Sequence, residues 1–240
     1  GNNQILRELV NMLKIISIHQ PNYIPWLGYF YKISQSDCFV FLDDAQFSNE
    51  GMHNFHYIKT SQGPLRLKIP VQQTLGDRIL DVRTKDELNW KETHLGLIQS
   101  NYRNAKFFNE VYSDFKNLLL QDYPSLSGIN SAIIRFFCDK LGIKVEFVNS
   151  SDLNIFTKKE EKILDLCTAL NADVYYSGIG ARAYQKEENF QNRGIRLKYS
   201  EFTPFTYEQL WNGYFSNVSI LDYLFNHGYD WGNVLRYQNR

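Results

Sequence analysis

Residues 15–30, Ile-Ile-Ser-Ile-His-Gln-Pro-Asn-Tyr-Ile-Pro-Trp-Leu-Gly-Tyr-Phe, decide the fold that we predict for this chain. The short apolar run at residues 15–18 is rich in β-branched side chains, which is typical of a buried strand. The strand then ends abruptly, because His19, Gln20 and Asn22 share a turn with two prolines, which fix φ and cannot donate backbone hydrogen bonds. Open α/β sheets bind ligands at the carboxyl ends of their strands. We therefore expect this turn to form the floor of a functional site.

Two carboxylates follow the next predicted strand. Residues 26–34 have the pattern of a helix that leaves the turn, and residues 38–42 have the pattern of a second strand. Strands joined through a helix are expected to be parallel neighbours. Asp43 and Asp44, which end the second strand, should then emerge beside His19.

A basic hairpin is predicted after these carboxylates. Residues 51–60 lead through Ser61-Gln62-Gly63-Pro64 into residues 65–71, and a Gly-Pro turn between two β-like runs predicts a hairpin. Arg66 and Lys68 alternate with apolar residues, so both charges should project from one face. With Lys59, they are candidates for holding a phosphate or carboxylate. The alternative is that they are solvated charges that protect an edge strand from aggregation.

The remainder of the chain predicts an α/β fold. The segment from about 88 to 141 has helical spacing, with Ser127 as a candidate helix start and Gly142 as a stop. Strands then alternate with helices, which favours a mostly parallel sheet flanked by helices, with a β-hairpin and a helical insertion in the middle of the chain. The predicted elements of the second half are strands at 145–148, 173–177 and 195–199, and helices at 159–170, from 178–181 to about 194, at 210–215 and at 220–225.

Composition narrows the class of protein. The 240 residues contain no Pro/Gly/Ser-rich linker and no internal repeat, so we predict a single domain over residues 12–240. Twenty-six basic and twenty-six acidic residues argue against a broad nucleic-acid or membrane-binding surface, although a local basic pocket is compatible with this balance. Cys38, Cys138 and Cys167 have no metal-like spacing, which predicts buried core cysteines and a reduced cytoplasm. No signal peptide or membrane-spanning stretch is predicted.

The two ends of the chain also carry predictions. We interpret residues 1–11 as an extension, with Gly1 as a candidate cloning remnant and Met12 as a candidate natural start. Ile5, Leu6, Leu9 and Val10 fit one or two amphipathic turns. The tail is rich in Tyr, Phe and Trp, which makes it a candidate contact in a homodimer.

The chemistry depends on His19 and the two aspartates. A histidine can take a proton from an attacking amine or hydroxyl near neutral pH, and the alternative is that His19 only binds neighbouring backbone. Asp43 and Asp44 can orient that histidine, bind sugar hydroxyls, hold a metal, or merely cap a turn.

Other motifs have both functional and structural interpretations. His53-x-x-His56 has the spacing of a metal pair, but no cysteine or third histidine stands nearby, so we predict no metal site. The stretch Ser177-Gly178-x-Gly180-Ala181 suits an anion on helix N-terminal amides, and it equally suits a tight turn. Arg182 and Tyr184 would strengthen such an anion site. His94 is predicted to pack with Trp90, and His227 to end a helix. No nucleophile motif is present, which disfavours a covalent intermediate.

Several blocks resemble one known family. The block His-Gln-Pro-Asn-Tyr-Ile-Pro-Trp-Leu-Gly-Tyr-Phe at 19–30, the block Phe-Val-Phe-Leu-Asp-Asp-Ala-Gln-Phe-Ser at 39–48, and the tail Ser-Ile-Leu-Asp-Tyr-Leu-Phe-Asn-His-Gly at 219–228 are similar to the WbqC-like protein family. Shorter similarities occur at 58–60, 69–71 and 176–178. The resemblance covers nearly the whole chain from Met12.

The resemblance implies a role in bacterial surface-polysaccharide (O-antigen) biosynthesis, with transfer of an acyl or amino-acyl group to an amino sugar. An Arg-Asn pair is common in the family where Phe55-His56 stands here, so the anion contact would pass to Lys59, Arg66 or Lys68. The family's signature polar residues fall on His19, Gln20, Asn22, Asp43, Asp44, Gln46, Asn54 and Lys59. The complete predicted site comprises catalytic His19, Asp43 and Asp44, and the substrate-binding residues Gln20, Asn22, Tyr23, Trp26, Gln46, Asn54, His56, Lys59, Arg66, Lys68, Ser177, Gly178, Gly180 and Tyr184.

Three functional hypotheses follow. The first is a cytoplasmic transferase acting on a nucleotide-linked or lipid-linked amino sugar, with His19 as the base and backbone amides near Gly178 and Gly180 as oxyanion donors. The second is a nucleotidylyltransferase-like enzyme that uses a nucleoside triphosphate, although the histidine-glycine-histidine signature of those enzymes is absent. The third is a non-catalytic module that binds a sugar nucleotide or a protein. The sequence identifies no cofactor.

Overall fold

Two compact units divide the chain in this computed structural model, which describes residues 4–6, 8 and 12–238. The first unit comprises Gly1–His19, Tyr31–Leu42 and Lys144–Phe202, and the second comprises Gln20–Phe30, Asp43–Ile143 and Thr203–Arg240. The single domain predicted over residues 12–240 stays a prediction. Within the predicted extension, residues 4–6 and 8 are helical and exposed, whereas Leu9 and Val10 lie outside the described residues.

The structure gives the following bounds. The strands are β1 (Ile15–His19), β2 (Cys38–Phe41), β3 (Phe55–Thr60), β4 (Gly63–Lys68), β5 (Val71–Gln72), β6 (Arg83–Thr84), β7 (Glu146–Asn149), β8 (Val174–Ser177) and β9 (Arg196–Tyr199). The α-helices are α1 (Leu27–Ser34), α2 (Trp90–Tyr102), α3 (Phe108–Leu119), α4 (Leu126–Lys140), α5 (Lys159–Ala169), α6 (Glu187–Gln191), α7 (Ile220–His227) and α8 (Trp231–Arg236). Single 3₁₀ turns occur at Ile79–Asp81, Asp86–Leu88, Ser150–Leu153 and Ile179–Tyr184.

The first unit is built on a five-stranded sheet in the order β7-β2-β1-β8-β9, and every neighbouring pair is parallel. The predicted α/β class with a parallel sheet is therefore confirmed. β1 and β2 are parallel neighbours as predicted, with His19 opposite Phe41. Runs such as Cys-Phe-Val-Phe in β2 are buried throughout because the strand is covered on both faces.

The two faces of this sheet have different partners. Ile16 and Ile18 of β1 face a core to which α5 contributes Leu164 and Cys167 and to which Phe190 of α6 also belongs. Since side chains alternate along a strand, Ser17 and His19 face the opposite side. There the Ser17 Oγ lies 2.6 Å from the Oγ of Ser36, just after α1.

The second unit contains the hairpin and the predicted helical segment. β3 and β4 pair antiparallel as predicted, although the turn is Ser61-Gln62, while Gly63 and Pro64 belong to β4. Three helices, α2, α3 and α4, occupy the segment from 90 to 140. The helix start predicted at Ser127 is wrong by two residues, because Ser125 has the extended backbone of an N-cap and its Oγ accepts from the Gly128 N–H.

Two further element predictions are corrected. The helix predicted from 178–181 to about 194 is broken into a 3₁₀ turn and the short helix α6, because Lys186 is extended and its N–H donates to Glu160 of α5. The helix predicted at 210–215 is absent from the described backbone there. Trp211 and Gly213 have positive φ values, and their carbonyl groups accept hydrogen bonds from the Lys59 ammonium instead of closing helical turns.

The remaining element predictions are confirmed. The helices predicted at 26–34, 159–170 and 220–225 are present, and Gly142 and Gly228 have the positive φ typical of helix ends. Cys38, Cys138 and Cys167 are buried free thiols, as predicted. The part of the chain that the structure describes includes no helix with the length and apolar character required to cross a bilayer.

Candidate functional site

A topological switch point lies between β1 and β8 in the first unit. The chain runs from β1 to β2 and β7 on one side of the sheet, and β8 and β9 lie on the other side of β1. In doubly wound sheets, ligands bind outside the carboxyl ends of the two strands at such a point. His19 ends β1 and Ser177 ends β8, so the sequence-predicted residues of this unit lie at that edge.

Lys32 is a functional candidate that sequence reasoning missed. It belongs to α1, is only 6% exposed, and donates from Nζ to the Ile18 carbonyl oxygen at 2.9 Å. The same Nζ lies 3.5 Å from Nδ1 of His19. Burial lowers the pKa of Lys32 to about 7. A lysine among the apolar residues of α1 was the available signal, because an amphipathic helix rarely places a lysine toward the sheet.

His19 and Ser177 share an edge of the sheet but not a face. Ile16 is opposite Tyr175, so the register brings Ser177 to the side of Ile18 and away from His19. The Ser177 Oγ lies 3.3 Å from the Gly178 carbonyl oxygen and also hydrogen-bonds with Tyr175. Because the His19 and Ser177 side chains point to opposite faces of the sheet, they are not expected to act together on the same substrate atom.

Tyrosines occupy the His19 side of this edge. Tyr176 lies on that face by register, and it contacts Tyr31 of α1. Burial raises the pKa of Tyr31, and the nearby Tyr176 and Glu201 raise it further. The Tyr31 hydroxyl therefore stays protonated near neutral pH and can act as a hydrogen-bond donor.

The glycine turn after β8 is open. A Cβ added at Gly178 or Gly180 would meet no atom within 4 Å, so neither glycine is required by the packing of the chain itself. The Ala181 N–H donates to the Gly178 carbonyl oxygen, and Tyr184 is 84% exposed. The predicted anion contact at this turn stays a prediction.

The predicted carboxylates belong to the second unit. Asp43 is 2% exposed, Asp44 is half-buried and Gln46 is exposed. The Asp43 backbone carbonyl accepts from the Leu80 N–H, and Gln46 forms a β-bridge with Arg78. The placement of these carboxylates beside His19 stays a prediction.

The proline turn is held from inside the second unit. Tyr29 donates its hydroxyl hydrogen to the Gln20 carbonyl oxygen, and the Tyr23 hydroxyl lies 2.8 Å from Nδ1 of His94. Tyr23 is fully buried, so its predicted substrate contact would require the turn to open.

Trp26 is 37% exposed and its ring covers Gly28, where a Cβ would lie 2.2 Å from the indole. His94 packs on Trp90 with ring centroids 5.1 Å apart, as predicted.

Three asparagines bury carboxamide oxygens that have no hydrogen-bond partner within the described residues. The Asn130 Nδ2 donates to the carbonyl oxygens of Pro21 and His53, and the Asn54 Nδ2 donates to that of Ile69. These donors fix the orientation of the Asn54 and Asn130 amides and leave their Oδ1 atoms unpaired; Oδ1 of Asn22 is likewise buried without a partner within the described residues. An unpaired buried acceptor costs about 1–3 kcal/mol, so these oxygens are ready to accept from a hydroxyl or ammonium donor. Asn130 was not predicted from the sequence.

His53 and His56, the pair with metal-like spacing, form hydrogen bonds with the backbone of the protein. Burial lowers the pKa values of His53 and His56 to about 4, and each Nδ1 accepts a backbone N–H, from Ser48 and Tyr57 respectively. Among residues 12–238 no group of three or more His, Cys, Asp and Glu side chains could hold a metal.

The basic residues of the hairpin separate into two kinds. The Lys59 ammonium is buried and donates to the Trp211 and Gly213 carbonyl oxygens. Arg66 is exposed and packs over the Phe55 ring at 5.1 Å. Lys68 is exposed and lines a groove of about 410 Å³ whose wall also includes Lys85 and Gln73. Arg66 and Lys68 therefore remain accessible to an anion, whereas Lys59 would first have to leave its two carbonyl partners.

Known proteins resemble this chain along most of its length. A protein of Mycobacterium tuberculosis (strain ATCC 25618 / H37Rv), named "Uncharacterized protein Rv1507c", is 34% identical to it over 233 residues, which are 94% of this chain and 99% of that protein. The sequence pattern of the WbqC-like protein family matches residues 20–233, beginning one residue after His19 and including Lys32. Because this match covers well over half of the chain, the protein belongs to the WbqC-like protein family.

Proposed function

We propose that this protein is a bacterial enzyme of surface-polysaccharide (O-antigen) biosynthesis that transfers an acyl or amino-acyl group to the amine of an amino sugar. Membership of the family supports the biological setting. The observation that carries the chemical part is the contact between His19 and the buried Lys32 at the carboxyl end of β1, where open α/β sheets bind their ligands.

His19 is the general base of the proposed reaction. The sugar nitrogen attacks the acyl carbon, a new C–N bond forms, and the bond between that carbon and the donor's leaving atom breaks. His19 takes the proton from the nitrogen and returns it to the leaving group, so that no covalent enzyme intermediate is needed. Tyr31 and Tyr176 supply hydroxyl donors on the same face of the sheet for the carbonyl oxygen that becomes negative.

The acceptor is proposed to be a nucleotide-linked or lipid-linked amino sugar in the cytoplasm. Such a substrate carries a diphosphate, for which exposed Arg66 and Lys68 are the proposed cations. The unpaired oxygens of Asn22, Asn54 and Asn130 are proposed acceptors for donor groups of a bound sugar. Asp43, Asp44 and Gln46 retain their predicted roles within this proposal.

A nucleotidylyltransferase-like enzyme is the second candidate. The sheet order, read outward from β1 to β7 on one side and to β9 on the other, is the order of mononucleotide-binding halves in doubly wound folds. This observation favours a nucleotide at the switch point, either as part of the sugar substrate or as a nucleoside triphosphate.

The test is an assay of the purified full chain with nucleotide-linked amino sugars, acyl-CoA donors and nucleoside triphosphates. We expect amide formation by the wild type and a loss of about 10²–10⁴-fold in kcat for His19→Ala, which is the usual contribution of a general base. His227→Ala is the matched control, because His227 ends α7 and is expected to leave turnover unchanged.

Three other outcomes of this assay would contradict all or part of the proposal. Equal turnover by the wild type and His19→Ala would remove His19 from its role. Pyrophosphate release from a nucleoside triphosphate would favour the second candidate, and tight sugar-nucleotide binding without turnover would favour a non-catalytic module.

A further inference from the structure

We infer that Lys32 is a positioning residue that determines which ring nitrogen of His19 carries the proton. The inference rests on the proposed function only in its catalytic consequence, since the contact itself belongs to the free protein. Its basis is the contact between Nζ of the buried Lys32 and Nδ1 of the half-buried His19, at 3.5 Å.

The charge on Lys32 decides the direction of this contact. An ammonium group has three donors and no acceptor, so a charged Lys32 requires Nδ1 of His19 to be the acceptor. A neutral imidazole then carries its proton on Nε2, which makes that nitrogen a donor. A neutral Lys32 amine has a lone pair and can accept from an Nδ1–H group, which leaves Nε2 with the lone pair that a general base needs.

The second contact of Lys32 allows both states. Nζ donates to the Ile18 carbonyl oxygen at 2.9 Å, and either an ammonium or an amine has a hydrogen for this bond. The Ile18 contact therefore holds Nζ in place while the proton between Lys32 and His19 moves. Burial brings the pKa of Lys32 to about 7, so both charge states are populated near neutral pH.

The catalytic consequence is a two-proton relay. When the sugar amine loses a proton to Nε2 of His19, the Nδ1 proton passes to the neutral amine of Lys32. One N–H bond breaks and one forms at each step, so His19 ends neutral in its other tautomer and Lys32 ends as an ammonium. The reverse transfers deliver the proton to the leaving group and restore both residues.

Other titratable groups at this edge have partners of their own. Tyr31 immediately precedes Lys32 in α1, Tyr176 is the next-to-last residue of β8, and Glu201 follows β9. Tyr176 and Glu201 each interact electrostatically with Tyr31, and together with burial they raise its pKa. The pKa of Lys32, by contrast, is lowered by the burial of its ammonium group.

The test is nuclear magnetic resonance of the ¹⁵N-labelled full chain without substrate. Long-range ¹H–¹⁵N spectra identify the protonated nitrogen of each of the five histidine rings, and His19→Gln assigns the His19 signals. We expect the ring proton of neutral His19 to move from Nε2 to Nδ1 as the pH rises through the titration of Lys32. His53, His56 and His94, whose pKa values burial lowers to about 4, stay neutral over this range and serve as internal references.

Two variants separate a positioning role from a structural one. Lys32→Arg keeps a permanent charge, so neutral His19 should hold the Nε2–H tautomer throughout the pH range in which wild-type Lys32 titrates. Lys32→Met removes the Nζ contact with Nδ1 of His19, and the pH-dependent exchange should be lost. Lys198→Met, an exposed lysine of β9 in the same unit, is the matched control and should behave as the wild type.

A His19 tautomer that is the same at all pH values, or that exchanges equally in the wild type and Lys32→Met, would overturn the inference. This result is independent of turnover. Exchange that depends on Lys32 in a protein without acyl transfer would uphold the inference and reject the proposed function. Acyl transfer with an unchanging tautomer would do the reverse.

Discussion

Two buried lysines, Lys32 in the first unit and Lys59 in the second, have similar burial and very different surroundings. The Lys59 ammonium donates to the carbonyl oxygens of Trp211 and Gly213 and lies 5.7 Å from the centroid of the Phe215 ring. Lys32 donates to the backbone carbonyl oxygen of Ile18 and contacts the ring of His19. Burial lowers the pKa of both lysines.

The difference lies in the nearest charge. The Asp222 carboxylate opposes the lowering at Lys59, and the hydroxyl groups of Tyr102 and Tyr207 each donate to Asp222 at 2.8 Å. The Tyr102 hydroxyl oxygen also accepts a hydrogen bond from the backbone N–H of Lys59, which links the hairpin to α2 and α7. A lysine embedded in such a network is an element of stability. A lysine whose proton has a titratable neighbour and a pKa near 7 is suited to proton transfer, so burial alone does not identify a functional lysine.

Of the substitutions that test this comparison, Lys59→Met is expected to have the largest effect on stability. Lys59→Met leaves the Trp211 and Gly213 carbonyl groups without their donor and Asp222 without its nearby cation, so we expect the free energy of unfolding to fall by about 3 kcal/mol. Urea denaturation measures this loss. Lys68→Met, an exposed lysine of the same hairpin, is the control and should change the value by less than about 0.5 kcal/mol. Equal stability of both variants would contradict a structural role for Lys59.

The tyrosines that bind Asp222 should rank in a defined order. Tyr102→Phe and Tyr207→Phe each remove one donor to a carboxylate, which is worth about 1.5–3 kcal/mol. Tyr102→Phe should cost more, because it also removes the acceptor of the Lys59 N–H. Thermal and urea denaturation, with Tyr184→Phe as an exposed control, check the order. The reverse order would show that the link through Tyr102 does not stabilise the hairpin.

Lys32→Met should behave in the opposite way. Because the folded pKa is about 7 and the ordinary value is 10.5, the unfolded chain binds more protons between these values. The wild type therefore gains stability as pH rises above 7, by at most about 1.4 kcal/mol per pH unit, and Lys32→Met should lack this slope. At neutral pH the substitution should be nearly neutral or stabilising, since it removes an amine whose charged form is costly to bury.

Denaturation curves between pH 7 and 9, with Lys198→Met as the control, measure this difference in slope. A loss of stability at Lys32→Met as large as that at Lys59→Met would contradict the comparison. It would mean that the Ile18 and His19 contacts of Lys32 are structural in the same sense as those of Lys59.

Local sequence patterns predicted much of the fold because they depend on neighbours in the chain. The apolar runs that became β1 and β2 and the helical spacing of α2 to α4 are read within short windows. The failures have tertiary causes. Residues 210–215 have an apolar composition that suits a helix, but their backbone carbonyls serve the Lys59 ammonium, which is about 150 residues away in the chain. Glu160 likewise accepts from the Lys186 N–H and divides a predicted helix.

The candidate site shows the same limit. His19 was predicted from a turn that is unusual within a few residues, whereas the importance of Lys32 depends on its distance to His19 and on burial beneath other elements. Asn130 was missed for a similar reason, since its amide nitrogen bridges Pro21 and His53, which are distant in sequence. Ser177 was predicted correctly to end a strand, but its face of the sheet followed only from the register of β8 against β1.

The sequence by itself determined that strands alternate with helices, that β1 ends in a polar proline turn, and that the cysteines are buried, because these properties follow from residue types and their spacing. Only the tertiary structure decided the strand order that creates the switch point and the surroundings of each buried charge. The physical reason is that desolvation and hydrogen-bond partners are set by atoms far apart in the chain. Lys32 and Lys59 thus acquire different proton affinities only when the chain folds.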